Sequence, residues 1–293
     1  MTDSLLVPPA DRPSPEDPGS PTGTTDRPGA VVVGVDDGPL PWGLLEHALH
    51  LAFRRGSAVR VVHVHRPDGP RAPWSDDAAA RAADYLARQA PVPVSRCCVD
   101  GDRVDALAAA AGPAGVLVLA DRHRRVGSAA GTTLDALIEI TSCPVLVVDE
   151  SASPPGPDGG VLVGIDGSPD AVTVLRAALA AADELATGVR AISTWTAPDD
   201  GPVAGVEDLV ATTGRDVPQV PVTLERYEDR AARRLIAAGR EAALLVLGHR
   251  HPVATGLIAR GSTARTVLAA APCPVLVLGP RVLDGVAAGT DGP

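Results

Sequence analysis

"VVVGVDDG" occupies Val31–Gly38 and "VLVGIDGS" occupies Val161–Ser168, an offset of 130. Each is an unbroken apolar run that reaches a glycine and then an aspartate. With no polar alternation, such a run suits a strand covered on both faces. Two further matches keep the spacing. "VPVSRCCVDGD" from Val92 answers "VPVTLERYEDR" from Val220 at an offset of 128, and "CPVLVV" from Cys143 answers "CPVLVL" from Cys273 at 130. Three ordered matches at near-constant offset make the chain a duplication.

Around these anchors each copy alternates strand and helix. In copy one, strands are predicted at Val31–Val35, Val59–Val64, Val92–Val99, Val116–Leu119 and Val145–Val148. Helices are predicted at Leu44–Phe53, Asp76–Gln89, Val104–Ala111 and Leu134–Ile140. Copy two follows suit, with strands near Val161, Val189, Val220, Leu244 and Val275. The fold class is therefore α/β: two tandem domains, each a five-stranded parallel sheet of Rossmann-like type with helices on both faces. The last strand of each copy is short and follows Cys-Pro. Proline cannot donate to a ladder, so these strands should lie at sheet edges. Two such edges can pair, joining the copies as an intramolecular pseudo-dimer, and a further homodimer stays open. The expected organisation is a disordered tail over 1–28, a first domain over 29–149, a Pro/Gly-rich linker over 150–160, a second domain over 161–280 and a tail over 281–293.

Composition narrows the function. The chain has 293 residues and a net charge of −10, which argues against nucleic acid or an anionic membrane as the main partner. All 26 basic residues are arginine. Without lysine there is no P-loop NTPase, no kinase of the usual type and no Schiff-base enzyme. The four cysteines fit no metal spacing and read as small buried apolar residues of a reducing, cytoplasmic setting. No apolar run reaches the roughly 18 residues of a membrane span.

Ligands of open parallel sheets sit beyond the carboxyl ends of strands, where strand order reverses. In copy two three segments should converge there: Gly164-Ile165-Asp166-Gly167-Ser168, then Gly248-His249-Arg250-His251, then Arg260-Gly261-Ser262-Thr263. Glycines let backbone N–H groups approach an anion, and a helix N-terminus adds donors and partial positive charge. Arg250 and Arg260 supply positive charge, and Ser262 or Thr263 a hydroxyl. Asp166 can accept from a ribose or base, or simply form a turn.

The repeated "VGIDGS", the strand "LVLG", "GST" thirteen residues after that glycine, and the closing "APCPVLVL" together resemble the universal stress protein family in its tandem form. The resemblance covers roughly Ala30 to Pro280. It implies an adenine-nucleotide-hydrolase-like fold and an ATP-binding regulatory protein of the stress response, with Mg2+ an optional companion and a protein partner left unnamed. Its nucleotide pattern, G-x2-G-x9-G-(S/T), falls on Gly248 and on Gly261-Ser262, with His251 in place of the second glycine. Copy one keeps Gly34, Asp36 and Gly131-Thr132. Ala120 and His123 replace its first two glycines there, and the spacing shrinks from thirteen to eleven. Copy two is thus expected to hold the nucleotide, with copy one as a degenerate folding partner. The competing reading is a structural interaction module of the same fold that binds none.

Other features weigh less. His249 and His251 lack a third metal ligand nearby. His63 and His65 alternate along a strand and mark one of its faces. Arg122–Arg125 read as a solvated basic loop, and Trp195 suits either an adenine rim or the core. No nucleophile has an assignable base, so the protein is not read as an enzyme, although slow ATP hydrolysis stays open.

Overall fold

A computed structural model of the protein describes residues 29–65, 75–112, 114–120, 132–149, 159–196, 202–249 and 263–289. Copy one runs β1 (Val31–Val35), α1 (Trp42–Arg55), β2 (Val59–His65), α2 (Ser75–Gln89), β3 (Val94–Asp100), α3 (Arg103–Ala111), β4 (Val116–Ala120), α4 (Thr132–Ile140) and β5 (Val145–Val148). Copy two runs β6 (Val161–Gly164), α5 (Ala171–Glu184), β7 (Val189–Trp195), α6 (Val206–Gly214), β8 (Val222–Glu228), α7 (Ala231–Ala238), β9 (Leu244–Gly248), α8 (Thr263–Ala270), β10 (Val275–Leu278) and α9 (Pro280–Gly289). Among the described residues, no helix is long and apolar enough to cross a membrane.

The strands form one sheet in the order β3-β2-β1-β4-β5-β10-β9-β6-β7-β8. Within each copy every pairing is parallel, and the two copies meet through β5 and β10, which pair antiparallel with Leu146 opposite Leu276. The pairing of the two edges anticipated from Cys-Pro is therefore present. Pro144 and Pro274 open these strands and contribute carbonyls to Leu117 N–H and Leu245 N–H. The remaining free edges, β3 and β8, carry charged residues such as Arg96, Asp100, Arg226 and Glu228, which discourages further strand addition. Both begin two residues later than the sequence indicates, just beyond Pro93 and Pro221.

Helices cover both faces. On α1, Leu44, Leu45, Ala48, Leu49 and Ala52 recur at helical spacing and are buried against β1 and its neighbours. Gly56 ends the helix at φ +58, its N–H reaching back to Ala52 and Phe53 carbonyls. Asp102 caps α3, its carboxylate accepting from Val104 N–H at 2.8 Å. The apolar cluster under α1 and α5 is continuous across the joint through Leu146 and Leu276. On the other face, Ile138, Val145 and Val147 of copy one pack into the cluster of Val275, Val277 and Leu268.

One expectation is corrected. The segment read as a tail from residue 281 begins with helix α9 (Pro280–Gly289), anchored by Leu283, which is buried. Residues 1–28 and most of the linker lie outside the described residues.

Charges across the joint follow the duplication. Asp135 and Arg265, offset by 130, meet at 3.0 Å on the α4/α8 face. Arg54 and Glu184, also offset by 130, meet on the other face, where Arg54 donates to the Glu184 carbonyl at 2.8 Å and Arg55 grips its carboxylate at 2.9 and 3.1 Å. Two identical copies facing one another would set like charges at each point. Surface and half-exposed pairs of this kind contribute only about 0–1 kcal/mol each, so these charges select unlike partners more than they stabilise.

A cavity of about 90 Å3 lies on the α1/α5 side of the joint, lined in part by His47, Leu146 and Leu276. His47 is buried, its Nδ1–H donating to the Gly43 carbonyl at 2.7 Å. Burial holds its pKa below the ordinary histidine value, against a smaller opposing effect of the Gly43 hydrogen bond. The unfolded chain therefore takes up the proton first as pH falls. The His47 contribution to stability is complete above about pH 6.5 and declines below it. Urea midpoints measured downward through that range are expected to fall, and less steeply in His47→Gln. Equal slopes in the two proteins would remove His47 from the account.

Candidate functional site

Strand order in copy two reverses between β6 and β9, which pair in parallel with Val163 opposite Val246. Their carboxyl ends therefore emerge side by side, and the chain leaves the sheet at neighbouring points after Gly164 and Gly248. Ile165 is buried, and its N–H donates to the Ile192 carbonyl at 2.9 Å. Asp166 is exposed, and its Oδ1 accepts from Ser168 N–H at 3.0 Å, closing a turn. Gly167 takes φ +73 in that turn, a conformation that favours glycine, with Val203 packed over it.

The two strand-end glycines have a packing reason that the sequence did not reveal. An added Cβ at Gly164 would meet Leu235 and Leu247 at 3.1 Å, and one at Gly248 would meet Val174 at 3.0 Å. Both directions point into side chains of the core. Close helix approach thus accounts for these glycines before any ligand is invoked.

His249 is placed differently from the expectation of a phosphate contact. Its N–H donates to the Leu278 carbonyl at 2.9 Å, and its Nε2 lies 2.9 Å from Glu139 Oε1 on α4 of the other copy. The ring is buried in the joint, so His249 ties the copies together instead of facing the strand-end cleft. Thr263 opens α8. Arg250, His251, Arg260, Gly261 and Ser262 lie outside the described residues, as do His123, Arg122–Arg125 and Gly131 of copy one.

Copy one has spent its equivalent acid. Asp36, the counterpart of Asp166, lies 3.2 Å from Arg103 at the start of α3. The residue matching Arg103 at an offset of 128 is Ala231, and among the described residues no arginine pairs with Asp166. Asp37 stands where copy two has Gly167, and receives His63 Nε2 at 2.9 Å. His63 is buried, and its Nδ1 has no hydrogen-bond partner among the described residues. Burial lowers its pKa, with the Asp37 charge opposing, and that favours the neutral ring. The cysteines divide. Cys143 and Cys273 are buried as expected, and burial pushes the Cys143 thiol up to about 11. Cys98 is exposed, contrary to the reading of all four as core residues.

The model of the universal stress protein family matches residues 29–149 and 160–279. The chain belongs to the universal stress protein family. It carries two universal stress protein domains in tandem, arranged as one mostly parallel sheet. A universal stress protein of Mycobacterium tuberculosis is 28% identical over 292 residues, spanning 84% of this chain and 96% of its relative. A second from that organism is 25% identical over 282 residues, spanning 84% and 95%. Among solved structures, a universal stress protein from Archaeoglobus fulgidus is similar with a TM-score of 0.65 at 16% identity, covering 85% of this chain and 98% of that one. At that identity the likeness concerns the fold.

Proposed function

We propose that this universal stress protein is an ATP-binding regulatory protein whose nucleotide is held mainly by copy two. The observation that carries the reading is the contrast between the two acidic strand ends. Asp36 is neutralised by Arg103, whereas Asp166 stands exposed beside β9 and its counterpart of Arg103 is an alanine. An exposed carboxylate at the point of strand reversal can accept from ribose hydroxyls or an adenine amine. The pair Gly261-Ser262, at the family's spacing from Gly248, would bring helix N-terminal donors to the phosphates, with Arg250 and Arg260 supplying charge. Mg2+ would sit against the phosphates in that loop, where the chain offers hydroxyls and no lysine. Binding, not turnover, is the proposed role, with nucleotide occupancy presented to a protein partner.

Thermal or urea unfolding tests this directly. ATP at about 100 times its dissociation constant, bound only to the folded protein, is expected to add about 2.7 kcal/mol of stability. The gain should vanish in Gly261→Val and persist in Gly131→Val. The reverse pattern would move the site to copy one. No gain at millimolar ATP would favour the second reading, a structural interaction module. That reading draws on the packing roles of Gly164 and Gly248 and on the diversion of His249 into the joint.

A further inference from the structure

In copy one β2 and β3 pair in parallel with His63 opposite Cys98 and His65 opposite Asp100. Residues opposite one another, and those two apart, share a face of the sheet. His63, His65 and Cys98 therefore converge at the carboxyl end of β2, on the face covered by α1 and α2. One ligand atom from each of the three lies within 4.8 Å of the others, and the two imidazoles sit with ring centres 4.5 Å apart.

The His63 side chain is almost wholly buried, and its Nε2–H is directed at Asp37 Oδ1. That hydrogen bond fixes the tautomer, leaving the lone pair on Nδ1, a buried atom with no hydrogen-bond partner among the described residues. A histidine whose far nitrogen is held by a carboxylate is the usual arrangement behind a metal ligand. The carboxylate orients the ring and raises its basicity.

We propose that His63, His65 and Cys98 bind a zinc ion, with water in the fourth position. Two imidazoles and one thiolate form a donor set suited to tetrahedral zinc. Bonds of about 2.0–2.3 Å require ligand atoms about 3.3–3.8 Å apart, so the cluster closes by roughly 1 Å, within reach of the exposed Cys98 side chain. On binding, the Cys98 thiol proton passes to solvent as the sulfur–zinc bond forms, while the neutral imidazoles release none.

The duplication supplies an internal comparison. At the matching positions copy two has Gly167 for Asp37, Ser193 for His63, Trp195 for His65 and Arg226 for Cys98, in the same strand register. All three ligands and the orienting carboxylate are absent there together. The set is therefore a property of copy one and not of the fold. It occupies the strand-end region of the copy whose nucleotide pattern is degraded, and it does not depend on whether copy two binds ATP.

The test is titration of the full chain, stripped by a chelator, with Co2+ as the spectroscopic probe and Zn2+ as competitor. One equivalent of Co2+ is expected to bind with a thiolate-to-cobalt charge-transfer band, and Zn2+ should displace it. Cys98→Ser should abolish the band with the far-ultraviolet circular dichroism unchanged, while Cys97→Ser should retain it. Asp37→Asn should weaken Zn2+ binding about 10–100-fold at unchanged stoichiometry. Zn2+ should also shield Cys98 from alkylation in the native protein. No charge-transfer band, a band that survives Cys98→Ser, or full Zn2+ affinity in His65→Ala would overturn the assignment.

Discussion

Replacing Gly279 by alanine is expected to cost about 3 kcal/mol or more and to lower the melting temperature by roughly 10 °C. Gly279 follows β10 at the joint, and a Cβ built there would clash with the Ile138 carbonyl oxygen of α4. That neighbour is helix backbone, which cannot rotate aside as the end of a side chain can. Either β10 or the carboxyl end of α4 must retreat, and Ile138 and Val277 are both fully buried in the cluster that spans the joint. The strain should be felt by both copies. Gly285→Ala on α9 is the matched control. Among the described residues nothing lies within 4 Å of its added methyl, and alanine favours a helix over glycine by about 1 kcal/mol. Urea midpoints of the two variants should therefore move in opposite directions. A Gly279→Ala protein as stable as its parent would show that the two backbones do not approach this closely.

That contact also marks where sequence reasoning stops. The order of strands and helices was legible because strands buried on both faces are unbroken apolar runs, and because each copy checks the other at a fixed offset. The joint was legible from two prolines, each opening a short apolar strand that had to be an edge. Helix α9 was missed because "PRVLDGVAAG" shows no clear apolar period; among its described side chains Leu283 is the buried anchor. Proline suits a helix start, but two glycines hide the pattern. The turn closed by Asp166 was one of the two readings open for "DGS". The diversion of His249 to Glu139 was not legible, since those residues are 110 apart and meet only once the edges have paired. The neutralising Arg103 lay within reach of a comparison of the copies, which puts Ala231 in its place. His63 and His65 were read as one strand face. The facing Cys98 and the carboxylate of Asp37 come from register and turn geometry, which no spacing within a single strand reports.

The joint itself should be the point at which a single charge does most damage. Val147 lies on β5 opposite Val275 of β10, and both are fully buried in the apolar cluster shared by the two copies. In Val147→Asp a carboxylate would enter that cluster, whose buried members are valine, leucine, isoleucine, alanine and Cys273. Removing the valine forfeits its burial, and the unpaired charge must either be desolvated or take up a proton. The expected loss exceeds about 4 kcal/mol, a large share of the stability of a domain. Each copy keeps its own parallel strands and helices, so the damage should start at the antiparallel pair. Hydrogen exchange should then find the β5 and β10 amides unprotected while those of β1 and β6 remain slow. Val147→Thr, nearly the same shape with a hydroxyl, should cost less than Val147→Asp in the same order of exchange. If Val147→Asp instead unfolds everything in one transition with uniform exchange, the copies depend on one another for folding. Pairing of unlike copies would then be a condition of the fold as well as the contact that completes it.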